Sequence, residues 1–89
     1  MTRQVETTLG GFRGVMRSGA FVRGFNEARK GKPMDYDAYQ EAGQTNARWA
    51  YERGRLFGLI YSGPLKQGPR VTWDAYSAMR NAYLSQLIR

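Results

Sequence analysis

The chain of 89 residues carries 14 Lys and Arg against seven Asp and Glu, a net charge of +7 at pH 7. This length permits one small domain, which buries about two thirds of the surface of its unfolded chain. Hydrophobic residues at 42% and aromatic residues at 13% exclude a disordered basic tail. Because Cys and His are absent, disulfides, zinc knuckles, iron–sulfur sites and histidine-assisted catalysis are excluded.

Glycine and proline divide the chain into three segments, with breaks at residues 31–33 and 62–64. Strand signals are nearly absent. We therefore predict an all-α fold, a small bundle of three to four helices built around a glycine-rich helical hairpin. The prediction is a single domain, 1–89, with a short N-terminal arm or helix at 1–18, the helical hairpin at 19–62 and a C-terminal helix at 72–88.

The first segment predicts two short helices. Thr7 or Thr8 is a candidate N-cap for a helix through Arg17, and Ser18-Gly19 predicts a break before a second helix to Lys30. Six glycines precede residue 32, and each interior one costs ~1 kcal/mol relative to Ala in a helix. Glycines kept at that cost predict a close contact between helix backbones.

The second segment predicts the central helix, with Asp35 as a candidate N-cap and an interruption at Gly43. A spacing of 100° per residue gives this helix an apolar face, a polar face and a strip of small residues. These are, in turn, Trp49, Ala50, Leu56, Phe57, Ile60 and Tyr61; Arg48, Glu52 and Arg55; and Ala47, Gly54 and Gly58.

A short repeat connects the first two segments. Ala20-Phe21-Val22-Arg23-Gly24 recurs as Ala50-Tyr51-Glu52-Arg53-Gly54, thirty residues later. Two copies are too few for a solenoid. The repeat instead predicts two similar helices whose glycines face each other.

The third segment predicts a helix from Trp73 to about Ile88, capped by Thr72. Its amphipathic stripe favours packing in the core. An aromatic docking surface is the alternative, because tyrosine and tryptophan suit interfaces. The stripe consists of Trp73, Tyr76, Met79, Tyr83, Leu84, Leu87 and Ile88.

No constellation of residues predicts catalysis, so we expect a protein that is not an enzyme and has no cofactor. Residues 63–68 lack the spacing and the hydroxyl of a phosphate-binding loop. Asp37 and Glu41 would share a helix face, but a solvated acidic turn explains them better than a Mg²⁺ site, so no metal is expected. Residues 1–4 lack the apolar run of a secretory signal, and no apolar stretch approaches the ~20 residues that span a bilayer. We expect a cytoplasmic protein with no membrane partner.

The positive charge lies in two blocks, 1–33 and 46–89, that each carry net +5 and flank a connector, 34–45, of net −3. Eleven of the 14 cationic residues are arginines, whose planar guanidinium groups bind phosphate bidentately. This pattern favours a surface that binds a polyanion. Lines of arginine that can follow a phosphate backbone are formed by Arg13 with Arg17 and by Arg48 with Arg55.

Arg53 and Arg80 fall inside the apolar arcs of their helices. Three interpretations stay open for them. Each guanidinium can reach solvent while its methylenes pack on the core, pair internally with an aspartate, or stack on an RNA base or a partner side chain. The candidate aspartates are Asp35, Asp37 and Asp74.

The motif of Arg23-Gly24-Phe25, Ala28, Gly31, Tyr39-Gln40, Trp49 and Gly54 resembles ribosome modulation factor, a family of small basic bacterial proteins, over about residues 20–58. The resemblance implies a helical hairpin that binds the small ribosomal subunit and regulates translation by promoting inactive ribosome dimers. It also implies that Arg23, Tyr39, Arg48 and Trp49 lie at or behind the surface that contacts RNA. The third helix has no counterpart in that family.

We therefore expect a non-catalytic protein that binds rRNA or a ribonucleoprotein surface. The alternative is a virus-encoded module, either a host-protein inhibitor or a virion component, that docks on a host or viral protein. A DNA-associated regulator is a weaker third candidate. The two sets of candidate contacts are Arg13, Arg17, Arg23, Tyr39, Arg48, Trp49, Arg53 and Arg55 for nucleic acid, and Trp73, Tyr76, Arg80 and Tyr83 for a protein partner.

The two interpretations differ in the variants that they predict to fail. Arg48→Glu with Arg55→Glu is expected to abolish RNA binding in the first, because both charges reverse. Tyr76→Ala with Tyr83→Ala is expected to abolish partner binding in the second. Affinity purification with and without nuclease, followed by identification of protein and RNA, is the measurement that separates them.

Overall fold

The computed structural model describes residues 11–88, which form the all-α fold expected from the sequence together with a very short β-hairpin. The four helices of this part are α1 (Phe12–Arg17), α2 (Gly19–Arg29), α3 (Thr45–Ile60) and α4 (Trp73–Leu84). Strands β1 (Lys66–Gln67) and β2 (Arg70–Val71) pair antiparallel between α3 and α4. Strands of two residues carry no alternating pattern, so the sequence did not predict them.

A single core joins all four helices and the hairpin. Its side chains include large aromatic residues that are wholly shielded from solvent, and no buried residue of the described part is charged. The largest fully buried side chains are Tyr51, Phe12, Phe21, Phe57, Met16, Met79 and Ile88. The core thus lies where α1, α2, α3 and α4 meet.

The predicted break between α1 and α2 is confirmed at Ser18. Its backbone is extended, and its side chain accepts a hydrogen bond of 3.3 Å from the backbone N–H of Phe21, which makes it the N-cap of α2. The Ser18 hydroxyl also donates to the carbonyl of Val15 at 2.7 Å, which closes α1. The cap candidates Thr7 and Thr8 lie outside the described residues.

The predicted start of the second helix at Asp35 is wrong, because α3 begins at Thr45. Asp35 instead lies in a connector of turns, residues 30–44. One of its carboxylate oxygens accepts the backbone N–H of Asp37 at 3.1 Å, an arrangement that favours a turn over a helix. Tyr39 (φ 59°) and Gly43 (φ 89°) take left-handed backbone conformations that keep the connector non-helical.

The expected backbone contact between glycine-bearing helices is confirmed for α2 and α3. A Cβ atom placed on Gly24 would collide with the carbonyl of Tyr51, and one placed on Gly54 would collide with the carbonyl of Phe21. The two contacts are reciprocal, as the thirty-residue repeat predicted. A Cβ on Gly58 would lie 2.7 Å from the carbonyl of Phe25, so small residues four apart open a close crossing.

Contacts between α2 and α3 advance in the same direction along both helices. Phe21 meets Gly54, Phe25 meets Gly58, and the Arg29 side chain reaches the carbonyl of Ser62 just past the end of α3. The pair therefore differs from a tight antiparallel hairpin, and the connector carries the chain back to the start of the second helix. We call α2 and α3 in this contact the glycine-packed pair.

The glycine contact also corrects the predicted faces of α3. The strip with Gly54 packs against α2, whereas two residues assigned to the apolar face lie at the surface, Leu56 with 43% and Ile60 with 51% of their area exposed. Backbone contact across the glycines brings α2 so near that the core closes around Tyr51 and Phe57 instead.

α4 begins as predicted, with the Thr72 hydroxyl accepting the N–H of Ala75 at 3.1 Å. It ends at Leu84 rather than near Ile88, because Gln86 takes a left-handed conformation (φ 64°) and the N–H of Leu87 donates back to the carbonyl of Ala82. The predicted core stripe is corrected too: Met79 and Ile88 are buried, Tyr76 and Tyr83 half-buried, and the exposed members are Trp73, Leu84 and Leu87.

Gly54→Ala is expected to destabilise the fold by about 1–3 kcal/mol, because its methyl group forces α2 and α3 apart. Gly14→Ala is the matched control. Gly14 lies in α1 with open space where its Cβ would be, so alanine there is expected to stabilise the protein by about 0.5–1 kcal/mol. Urea unfolding followed by circular dichroism measures both. Equal effects of the two substitutions would contradict the glycine-packed pair.

Candidate nucleic-acid interface

Four of the six arginines predicted to bind nucleic acid form one network with acidic residues of the glycine-packed pair and the connector. The clearest member is Arg23. Its Nε donates to Glu27 at 2.7 Å and its Nη2 to Asp35 at 2.6 Å. The hydrogen bond to Glu27, with further support from Tyr39 and Asp35, raises the pKa of Arg23 above its ordinary value. We call Arg23, Arg48, Arg53 and Arg55 with Glu27, Asp35, Glu52 and Tyr51 the arginine network.

Tyr51 anchors this network from inside the core. Its ring is fully buried, and its hydroxyl donates to Glu27 at 2.6 Å while accepting the backbone N–H of Asp35 at 2.9 Å. The hydrogen bond from Tyr51 is the main cause that lowers the pKa of Glu27, with the hydrogen bond and charge of Arg23 adding to it. The pKa of Asp35 is lowered chiefly by its hydrogen bond from Arg23.

Arg48 and Arg55 hold the connector against α3. Nη1 of Arg48 donates to the carbonyls of Asp35 and Ala38, both at 2.9 Å. Nη2 of Arg55 donates to the carbonyl of Lys32 at 2.8 Å. Both side chains are largely buried, 16% and 15% exposed. A charge reversal at either position would remove these structural bonds, so loss of RNA binding in such a variant would not identify an RNA contact.

The structure distinguishes the two arginines for which several roles stayed open. The Arg53 guanidinium lies over the ring of Trp49, 4.6 Å from its centroid, and 3.4 Å from Glu52 rather than beside an aspartate. Burial lowers the pKa of Arg53, partly offset by Glu52. Arg80 is half-buried, and its Nε is shielded from solvent without a hydrogen-bond partner.

The residues that the resemblance places near RNA surround one shallow groove of about 340 Å³. Tyr39, Arg48 and Trp49 line it, but so do the carboxylates of Glu41 and Glu52. The glutamates offset much of the positive charge of the arginines, which weakens any attraction for phosphate. Trp49 is only 7% exposed, so its ring is covered by neighbouring side chains. Arg23 lies in a separate cleft of about 810 Å³, which Tyr39 shares.

A second cluster unites one residue of the nucleic-acid set with two of the partner set. The Arg13 guanidinium lies 4.3 Å from the ring centroid of Tyr76 and 5.9 Å from that of Trp73. The two rings lie 5.6 Å apart, and Trp73 is 63% exposed. We call Arg13, Trp73 and Tyr76 the Trp73 platform. Sequence reasoning missed it, because sixty residues separate Arg13 from Trp73 and no local pattern connects them.

The charge around the Trp73 platform differs from that of the arginine network. Among residues 11–88, no carboxylate lies within ion-pairing distance of Arg13 or of Arg17, which follows it by one turn and is exposed. The acidic residue nearest in sequence, Asp74, is exposed in the first turn of α4, where a negative charge stabilises the helix. Other exposed cationic residues outside the arginine network are Arg29, Lys30, Lys32 and Arg70.

The remaining partner candidates contribute to the packing of α4 on α1. The Tyr83 ring meets Phe12 edge-on at 5.1 Å, and Tyr76 also contacts Phe12, at 6.5 Å. Tyr76→Ala and Tyr83→Ala would therefore disturb the core as well as any partner surface. Of the four predicted partner residues, Trp73 is the exposed one.

Two further searches covered residues 11–88. They contain no group of three or more metal-ligating side chains, and Asp37 and Glu41 lie in turns rather than on one helix face. None of their helices combines the length and the apolar character that crossing a membrane requires.

Comparison of the chain with protein-family models, curated proteins and solved structures gives no match. The relationship to ribosome modulation factor therefore stays a prediction that rests on the quoted motif.

Glu27→Gln is expected to destabilise the protein by about 1–3 kcal/mol at pH 7, because Tyr51, Arg23 and Arg55 lose a charged acceptor. The folded pKa of Glu27 lies below its ordinary 4.5, so its contribution is complete above pH 4.5 and is lost as pH falls through the folded pKa. The variant should therefore lose stability less steeply in acid. Urea unfolding between neutral and acidic pH measures this dependence.

Glu41→Gln is the control for this experiment, because Glu41 is exposed and its carboxylate forms no ion pair among the described residues. It should change stability by no more than about 0.5 kcal/mol. If both variants keep the acid dependence of the wild type, Glu27 does not hold the network together.

Proposed function

We propose that the protein binds RNA without catalysis, and that an unpaired base stacks on the Trp73 platform. The observation that carries the proposal is the exposed ring of Trp73 beside a guanidinium that no carboxylate neutralises within residues 11–88. Proteins that bind single-stranded nucleic acid use the same combination, an aromatic surface for bases and cations for phosphates.

The charge of the chain supports this proposal. A net charge of +7 attracts polyanions at long range, and the arginine network accounts for all of the close carboxylate–arginine pairs among residues 11–88. Arg13 and Arg17 stay available on α1. In this proposal Arg13 bridges a phosphate while it remains on Tyr76, and Arg17 contacts the next phosphate along the strand.

The proposal keeps the RNA-binding role expected from the sequence but moves the contact surface. Arg23, Arg48, Arg53 and Arg55 act through the fold, since they hold the connector and α3 in place. A small ribosomal subunit is the target that the resemblance to ribosome modulation factor suggests. The alternative, a virus-encoded module that docks through α4, shares Trp73 and is separated from RNA binding by the experiment below.

Trp73→Ala is expected to weaken binding to a fluorescein-labelled single-stranded RNA by about 1–3 kcal/mol, because the stacking surface for a base is lost. Leu84→Ala is the matched control, since Leu84 is an apolar residue of the same helix with 62% exposure. Fluorescence anisotropy measures both affinities. Equal loss in the two variants, or unchanged affinity in Trp73→Ala, would contradict the proposal.

Arg13→Gln is expected to reduce the dependence of log affinity on log salt concentration by about 0.7, the contribution of one phosphate contact on a single strand. Arg70→Gln, on the exposed β-hairpin, removes the same charge away from the platform and should leave the slope within error of the wild type. If the two substitutions change the slope equally, binding is unspecific attraction by net charge. Absence of RNA binding combined with capture of a protein through Trp73 would favour the docking module.

A further inference from the structure

A groove between α3 and the C-terminal segment exposes more apolar surface than the core arrangement requires. It has a volume of about 600 Å³, and its floor consists of Met34, Leu56, Leu59 and Leu87. Leu59 is 71% and Leu87 66% exposed, and Leu56 is 43% exposed. Ile60, one turn after Leu56, extends this surface along α3. We call these five residues the apolar groove.

The exposure follows from the glycine-packed pair. α3 presents Gly54 and Gly58 to α2, so the leucines on its other side have no helix of residues 11–88 to cover them. The left-handed turn at Gln86 then places Leu87 beside Leu56 and Leu59. Contiguous apolar surface of this kind on a soluble domain marks an interaction site.

Two arguments decide what occupies the groove. The exposed parts of Leu56, Leu59, Ile60 and Leu87 amount to roughly 400 Å², about half of the ~800 Å² that each partner buries in a stable protein–protein interface. A single helical segment needs less area than a second copy of a whole domain. A second copy would also bring a charge of +7 against +7.

The charges at the rim specify the sign of the partner. Arg53 and Arg55 flank the groove, and the one acidic residue of its lining, Glu52, already accepts a hydrogen bond from Arg48 at 2.9 Å. A helix with carboxylates beside its apolar stripe would complement this rim. Leu56, Leu59 and Ile60 follow helical spacing, so their ridge fits the groove between side chains of a second helix.

We infer that the apolar groove binds an amphipathic helix with acidic flanks from a partner protein. This site is separate from the Trp73 platform and extends beyond the proposed binding of RNA. The partner would insert large apolar residues between Leu56, Leu59 and Leu87, with glutamate or aspartate toward Arg53 and Arg55.

The direct probe is a synthetic amphipathic peptide with a leucine stripe flanked by glutamates, compared with the same peptide carrying lysines in their place. Two-dimensional NMR of the full chain is expected to show resonance shifts confined to the groove on addition of the glutamate peptide. The lysine peptide should bind at least about tenfold more weakly. Equal affinity for both peptides would overturn the charge assignment.

Leu59→Lys separates apolar contact from charge. It raises the positive charge of the chain but removes the most exposed leucine of the groove, so affinity for the glutamate peptide should fall about tenfold. Leu84→Lys adds the same charge at an exposed leucine outside the groove lining and should keep or slightly increase the affinity. Equal affinity of these two variants would overturn the apolar contact.

Two outcomes distinguish this inference from others. Trp73→Ala should bind the glutamate peptide like the wild type, whatever its effect on RNA, so the two proposals fail independently. Analytical ultracentrifugation is expected to show a monomer. A dimer that Leu59→Lys dissociates and Leu84→Lys does not would overturn the inference in favour of a second copy.

Discussion

Direct backbone contact between α2 and α3 is the constraint on which the other features depend. Gly24 and Gly54 let each helix approach the carbonyls of the other, a distance that any Cβ would prevent. At this distance Tyr51 can reach Glu27 with its hydroxyl. That bond fixes the carboxylate to which Arg23 and other arginines attach, and the connector is then held by their remaining N–H groups. The fold and the location of free charge thus have a common origin.

This arrangement divides the arginines into two functional groups. Those of the arginine network neutralise acidic residues and bind carbonyls, so their charges act within the molecule. Arg13 and Arg17 lie on α1, outside that network, and Arg13 is already oriented by aromatic rings. A guanidinium held in this way loses less conformational freedom when it binds a phosphate. The proposed RNA contact therefore lies where the fold leaves charge available, rather than where arginines are densest in the sequence.

Much of the fold could be predicted from the sequence because its signals are local. Ser18, Thr72 and the glycine repeat each act within a few residues or within one helix, and the structure has the two caps and the glycine contact as expected. The start of α3 was predicted wrongly, since Asp35 resembles a helix cap until Arg23 and Tyr51 engage it from elsewhere. The opposite charges of the connector and the flanking blocks were visible, but the arginines that neutralise it depend on three-dimensional packing. The Trp73 platform depends on a contact across sixty residues and has no local signal.

The two indole N–H groups offer the most direct test of the central claim that RNA contacts the Trp73 platform and not the covered ring beside Arg53. Nitrogen–proton NMR resolves one resonance for Trp49 and one for Trp73, and a Trp73→Phe variant assigns them. On titration with single-stranded RNA, the account predicts that the Trp73 resonance shifts while that of Trp49 stays in place. A shift of Trp49 with Trp73 unchanged would contradict it and locate the RNA on the groove of Tyr39 and Arg48.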